Sequence, residues 1–426
     1  MAERTAAAAA AQAGFAVPAA AGPLHGVRVV DMTAVISGPY ASQMLGELGA
    51  DVVKVEPPEG DGQRWLGPAR TPDMGPIFMN SNRAKRSIAL DLKHPRGKEV
   101  LLRLVAKADV LLFNMRPTAM QRLGLSYDAL AAVNPRLVYV GITGYADGGP
   151  YSGRPAYDDL IQSASTLASM VAAKTGGPPQ YVPLAIADRV TGINAVVAVL
   201  AAIVERHTSG RGQKVDVPMF ETLVSFVLAD HLGGLSFEPP LDGGGYPRLL
   251  APARKPYATL DGYVSAMMFT DRQWRSFYAL QGRADDFDAD PRLSSLFTRN
   301  QHIDALYAEV EAVFATRTTA QWLAALEQAD IPVMPVHDLR SIRDDPHLRA
   351  TGFFEREEHP SQGAMLRTTY PLRWSRSQPG ATRHAPLRGE HTIEVLLEAG
   401  FSRGEIDELM ATSVATATPA TASEED

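Results

Sequence analysis

The chain of 426 residues contains no cysteine. This absence removes disulfides, thiolate metal sites and thiol nucleophiles together, and it suits a reducing, cytoplasmic location. The ten histidines are scattered. None falls in an H-E-x-x-H motif or an i, i+4 pair, so no metal site is expected. G-x-S-x-G is absent, and Ser37 in VISGP lacks the preceding glycine of a nucleophile elbow. The turn after the first strand reads MTAVISGPY, without the glycines of a G-x-G-x-x-G loop, which argues against a nicotinamide dinucleotide even though Glu56 sits where a ribose-binding acid would stand. Positive charge is not in excess. A formal net charge of −7 excludes nucleic acid or an anionic membrane as a general partner, while 41 Lys and Arg leave room for a local phosphate-binding site. Beyond the N-terminus, no apolar run approaches the roughly 18 residues of a membrane span.

What is present is ordinary soluble-protein composition, 45% hydrophobic and 21% charged, at a length that suggests two or three domains. The opening MAERTAAAAAAQAGFAVPAAAGPLHG resembles a signal peptide, but Glu3 and Gln12 interrupt it. Residues 1–23 are therefore expected to form a disordered leader, and residues 413–426 a disordered tail of small and acidic residues. From Gly26 to Val140 short β-branched runs (VRVVDM, ADVVKVE, SIALDL, DVLLFN, RLVYVGITGY) alternate with amphipathic stretches. That alternation predicts βαβ units and a parallel, doubly wound, Rossmann-like sheet over residues 24–226. After a Gly- and Pro-rich passage the texture changes. Residues 227–345 read as a linker and a smaller α+β domain, with a hairpin turn at Asp261-Gly262, and residues 346–412 as a C-terminal segment.

Two features carry possible chemistry. SNRAKRS places Arg83, Lys85 and Arg86 immediately before a strand, followed by Asn114 and Arg116 in NMRP and Arg122 in QRLG. Each alone reads as solvated charge, but together at strand ends they suit a phosphate-rich ligand. In PLAIADRVTG, Asp188 stands between an apolar run and the long helical stretch that follows, where it reads as a helix N-cap, an ion-pair partner or a nucleophile.

The segments LHGVRVVDMTAVISGP, ADVVKVEPPEGD, NSNRAKRSIALDLK, NMRPTAMQRLGLSYDAL, PAYDDLIQ, IADRVTG, TSGRGQKVDVPMFE and PLRGEHT, in order from Leu24 to about Met410, resemble the family III CoA-transferases, the CaiB/BaiF group. The resemblance implies an interlocked homodimer of chains, each with a large Rossmann-like and a small domain. It implies acyl-CoA and carboxylate substrates, with no tightly bound cofactor. Asp188 would be the catalytic carboxylate, passing through aspartyl anhydride and aspartyl-CoA thioester intermediates, with Tyr157 orienting substrate. Val35, Ile36, Lys85, Asn114, Met115, Arg116 and Arg122 match positions that contact CoA. Pro57 stands where some members carry a base for the nucleotide phosphates. The alternative within the family is an α-methylacyl-CoA racemase, which uses a histidine in a GHD-type motif where this chain has Tyr157; a phenol of ordinary pKa near 10 is a poor base at neutral pH. Gly243, Gly244 and Gly245 read either as an active-site loop or as a connector. Arg254 and Lys255 read either as surface charge or as a site for the second carboxylate of a diacid.

Overall fold

The short apolar run after Gly26 forms β1 (Arg28–Met32), whose last four residues are buried. The protein is described by a computed structural model over residues 22–418, so most of the expected leader and residues 419–426 of the expected tail lie outside the described residues. Beyond β1 come α1 (Ser37–Glu47), β2 (Asp51–Glu56) and β3 (Lys85–Leu90). Next is α2 (Pro95–Val105), with proline in the first turn where no backbone donor is needed. Then follow β4 (Val110–Phe113), α3 (Pro117–Arg122), β5 (Val138–Thr143), α4 (Asp158–Ala164), α5 (Leu167–Thr175), α6 (Ile186–Ser209) and β6 (Lys214–Pro218). Further on lie β7 (Tyr257–Ala258), β8 (Tyr263–Ala266), β9 (Val333–Pro335), β10 (Phe354–His359), β11 (Gly363–Thr368) and β12 (Ala415–Thr416).

Seven strands form one sheet in the order β12-β3-β2-β1-β4-β5-β6. Strands β1 to β6 pair in parallel, and β12 adds an antiparallel edge to β3. The sheet is therefore mixed rather than purely parallel. The edge strand comes from the stretch assigned to the tail: Ala415 and Thr416 pair with Leu90 and Ala89. All six residues of β3 and all four of β4 are buried, as expected for strands covered on both faces.

The chain divides into two compact units. Among the described residues the larger comprises 22–161, 185–223 and 350–418; the smaller comprises 162–184 with 224–349. Residues 162–184, inside the span 24–226 expected of the large domain, group with the small unit. In the large unit the apolar core contains Val30, Ile88, Leu111, Leu396 and Leu409. The small unit is built on an antiparallel sheet in the order β7-β8-β9 and on an aromatic core. There Tyr257 stacks on Phe314 at 4.7 Å, and Trp322 donates its indole N–H to the Phe314 carbonyl at 2.8 Å.

α6 corrects the expectation that no stretch reaches the length of a membrane span: by length and composition alone it is long and apolar enough to cross one. Its buried residues Ala187, Gly192, Ala195, Val196, Val199 and Ile203 follow a helical repeat. It packs against α1, β5 and β6.

Candidate active site

The turn between β1 and α1 is held from several sides. Val35 adopts φ 73°, a left-handed conformation unfavourable for a β-branched residue. The Asn114 side chain after β4 accepts from the Ala34 N–H at 3.0 Å and donates to the Ala34 carbonyl at 2.7 Å. Lys54 donates to the Thr33 carbonyl at 2.8 Å and pairs with Asp61 at 3.0 Å, while Asp61 accepts from the Val35 N–H at 3.3 Å. These contacts fix where α1 begins, and so fix Ser37.

α6 meets that point because Gly192 lets it, while Gly38 lets the turn itself close on Thr33. A Cβ on Gly192 would lie 2.7 Å from the Ser37 carbonyl oxygen, and one on Gly38 would lie 2.3 Å from Thr33 Cβ. Asp188 is one helical turn before Gly192, on the same face. It does not cap the helix: Ala185 occupies the cap position and Asp188 stands in the first turn. The capping acceptor is Asp158, whose Oδ1 accepts from the Asp188 N–H at 3.0 Å. The Asp188 carboxylate accepts hydrogen bonds from the Ser37 side chain and backbone, the latter among the donors a helix leaves unpaired at its start.

The Asp188 carboxyl does not keep the ordinary pKa of an aspartate. Half-burial raises the pKa and the negative charge of Asp158 raises it further, while Ser37 and the Arg189 guanidinium oppose them; the result is pushed up to about 6. About nine-tenths of the group is still ionised at pH 7.

Asp188 lines a cavity of ≈ 350 Å³ at the carboxyl ends of β1, β4, β5 and β6, where open α/β sheets bind ligands. Val35, Asn114, Met115, Arg116 and Tyr157 also line it. Tyr157 is 66% exposed. Ile36 is the residue before α1 and is not among the lining residues, nor is Arg122, which is exposed in the last turn of α3.

The basic cluster of SNRAKRS does not reach this cavity, because strand β3 begins at Lys85 rather than after Arg86. Lys85 is fully buried, donating to Asp31 at 3.1 Å, the Pro39 carbonyl at 2.9 Å and Asn82 at 2.7 Å. Burial lowers its pKa to about 8 against the pull of Asp31. Arg83 pairs with Glu47 at 3.1 Å, and Arg86 pairs with Asp51, Glu394 and Glu398. Glu56 is likewise internal rather than ribose-facing: it is fully buried against Arg64 and Ser87. Sequence reasoning missed Arg154 and Lys214, which line the cavity. For Arg154 the available signal was the Gly- and Pro-rich loop after β5, since loops at strand carboxyl ends carry ligand contacts. Lys214 is paired with Asp216 at 2.8 Å, and Arg154 lies 4.7 Å from the Tyr151 ring centroid. Among the described residues no group of three or more His, Asp or Glu is placed to hold a metal ion.

In the small unit, Gly244 and Gly245 have φ of 74° and 89°, and their N–H groups donate to Asp242 and to the His231 carbonyl. A Cβ on Gly244 would lie 2.8 Å from a Leu235 methyl, so this glycine is needed for packing.

A mostly parallel α/β sheet with a carboxylate, arginines and a tyrosine around a cavity at its carboxyl edge defines an α/β enzyme with a ligand site at the expected place. Residues 24–392 match CoA-transferase family III, and the chain belongs to that family. It is 33% identical over 414 residues to the formyl-CoA:oxalate CoA-transferases of Escherichia coli O157:H7 and Shigella dysenteriae, covering 90% of this chain and 97% of each relative. Among solved structures, a CaiB/BaiF family protein from Brucella suis is 30% identical with a TM-score of 0.73, covering 89% of this chain and 100% of the other. Rv3272 from Mycobacterium tuberculosis is 29% identical with a TM-score of 0.74, covering 88% and 99%. The protein is therefore an enzyme of the CoA-transferase class with the CaiB/BaiF fold, and its family acts on CoA thioesters.

Proposed function

We propose that the enzyme moves CoA from an acyl-CoA donor to a carboxylic acid acceptor, with Asp188 as the nucleophile. The observation that carries this reading is the Asp188 carboxylate itself, half-buried at the cavity wall and held by Ser37. In the first step the carboxylate attacks the thioester carbonyl and CoA thiolate leaves, giving an aspartyl–acyl anhydride. The thiolate then attacks the aspartyl carbonyl, releasing the donor acid and forming aspartyl-CoA thioester. The acceptor carboxylate attacks that carbonyl and expels the thiolate, which takes the new acyl group and returns Asp188 as carboxylate. Each step exchanges activated acyl groups of similar energy. Ser37 holds Asp188 in place, and Tyr157 orients the substrate at the cavity wall.

Arg116 and Arg154 supply positive charge at the cavity and hold the diphosphate of CoA, with Val35, Asn114 and Met115 shaping the wall. Lys85 acts from inside the fold by fixing Asp31, not by touching CoA. Among the described residues no histidine lines the cavity, and Tyr157 stands in its place, which supports transfer over racemisation, since racemisation needs two opposed acid–base groups. Hydroxylamine should inactivate the enzyme only when acyl-CoA is present, by capturing the acylated Asp188 as a hydroxamate. Equal inactivation without acyl-CoA would count against an acyl-enzyme.

Attack requires ionised Asp188, so kcat/KM should fall about tenfold per pH unit below the raised pKa of about 6 and level off above it. Asp158 raises that pKa, so Asp158→Asn should move the acid limb to lower pH. An unmoved limb would show that another group controls it.

We also propose an interlocked homodimer. Along α6, Ile193, Val197 and Val204 form an apolar row that is 44%, 58% and 69% exposed in the single chain, a surface that association would cover. Val197→Glu should shift sedimentation from dimer toward monomer, and an unchanged dimer would remove α6 from the interface.

A further inference from the structure

The small unit has a cavity of its own, ≈ 480 Å³, lined by Lys174 from the last turn of α5 and by Arg248, Arg254 and Lys255, with Met267 and Met334 among its apolar wall. Among the described residues no acidic side chain lines it. Of the four cations only Lys255 has a carboxylate at ion-pair distance among the described residues, Glu311 at 2.9 Å. Arg248 donates to the Tyr307 hydroxyl at 3.1 Å and contacts the Met267 sulfur at 3.3 Å, neither of which neutralises it. Lys174 and Arg254 are partly buried and have no counter-ion among the described residues. Partial burial and the neighbouring Arg254 both push the Lys174 pKa down. Clustered like charge in a concavity is unfavourable unless an anion enters between the cations.

We propose that this cavity is an anion site that takes a compact dianion, a phosphate monoester or a dicarboxylate, between Lys174 and Arg254. Arg254 offers the planar fork that matches either oxyanion, Lys174 supplies a point charge, and the methionine wall accommodates an apolar portion of the ligand. Lys255, the neighbour that sequence alone ranked equal to Arg254, is engaged by Glu311. The site does not depend on the role given to Asp188.

Calorimetric titration of the full chain with inorganic phosphate and with succinate, at low ionic strength, tests this. At least one anion should bind, and Lys174→Gln and Arg254→Gln should each weaken binding about tenfold or more. Lys174→Arg should retain binding, which separates loss of the charge from loss of the fold. Asp188→Asn should leave it unchanged, so failure of the nucleophile assignment is distinguishable from failure of this one. If the occupant is the 3′-phosphate of CoA, the wild type should prefer CoA to dephospho-CoA and the glutamine variants should lose that preference. If it is a free diacid, the preference should be unaffected and succinate binding lost. Absence of binding by both probes, or either glutamine variant binding as tightly as the wild type, overturns the proposal.

Discussion

Asp188→Asn should lower kcat by about 10⁴-fold or more while making the folded protein more stable at pH 7.5. One physical cause underlies both effects. Burial and Asp158 disfavour the negative charge that the reaction needs, so the pKa of Asp188 rises from 3.8 to about 6. A shift of that size corresponds to at most about 3 kcal/mol of lost stability at neutral pH, and solvent screening of a half-buried group leaves about 1–2 kcal/mol of it. The sign follows from linkage: the folded state holds the proton more tightly than the unfolded state, so the wild type is penalised above pH 6. That penalty is relieved as pH falls from 6 toward 3.8. Asparagine keeps a carbonyl to accept from Ser37 but carries no charge. The stability gain of the variant should therefore be present at pH 7.5 and vanish near pH 4, as read by thermal unfolding. A variant less stable at both pH values would contradict the claim that the charge is disfavoured.

Arg64→Met should destabilise the large unit by about 3–5 kcal/mol, with no direct contact to the cavity lost. Arg64 is 1% exposed and makes two 2.7 Å bonds to Glu56, one from Nε and one from Nη2. It also donates to the Pro386 carbonyl at 3.2 Å and lies 3.7 Å from the Phe78 ring centroid. Glu56 accepts in addition from Ser87 at 2.7 Å and from the Asp61 N–H at 3.0 Å. Against the cost of burial, Arg64 leads the interactions that hold its pKa down at about 2. The folded pKa lies below the ordinary value of 4.5, so this stabilisation is full above about pH 4.5 and is lost as pH falls toward 2. Methionine would leave the carboxylate buried with half its donors. Pairing Arg64→Met with Glu56→Gln should recover much of the loss, because the uncompensated charge is then gone. Equal losses in the single and double variants, measured by urea denaturation, would show that the guanidinium acts through packing alone.

The alternation of β-branched runs and amphipathic helices made β1 to β5 legible from sequence because each element carries its own local periodicity. Asp188 and its long helix were legible for the same reason. What sequence did not disclose is where long side chains end. Arg86 is held by Glu394 and Glu398, more than three hundred positions away, so a local cluster of basic residues looked like a ligand site when it was an internal one. The antiparallel strand β12 was hidden in a stretch of Ala, Thr and Ser, whose pairing with Leu90 and Ala89 depends on tertiary context rather than propensity. The raised pKa of Asp188 was also invisible, because it depends on burial and on the placement of Asp158 across a break in the helical region.

The central claim is that Asp188 forms covalent bonds to both substrates in turn, and oxygen tracing tests it most directly. In the proposed sequence an acceptor acid labelled with ¹⁸O in its carboxylate attacks aspartyl-CoA, and resolution of the resulting anhydride leaves one labelled oxygen on the aspartate. After turnover with labelled acceptor and unlabelled acyl-CoA, the peptide containing Asp188 should carry ¹⁸O in that side chain. An Asp188 peptide without label, together with acyl-CoA product formed at the normal rate, would mean that the acceptor never bonds to this residue and would contradict the account.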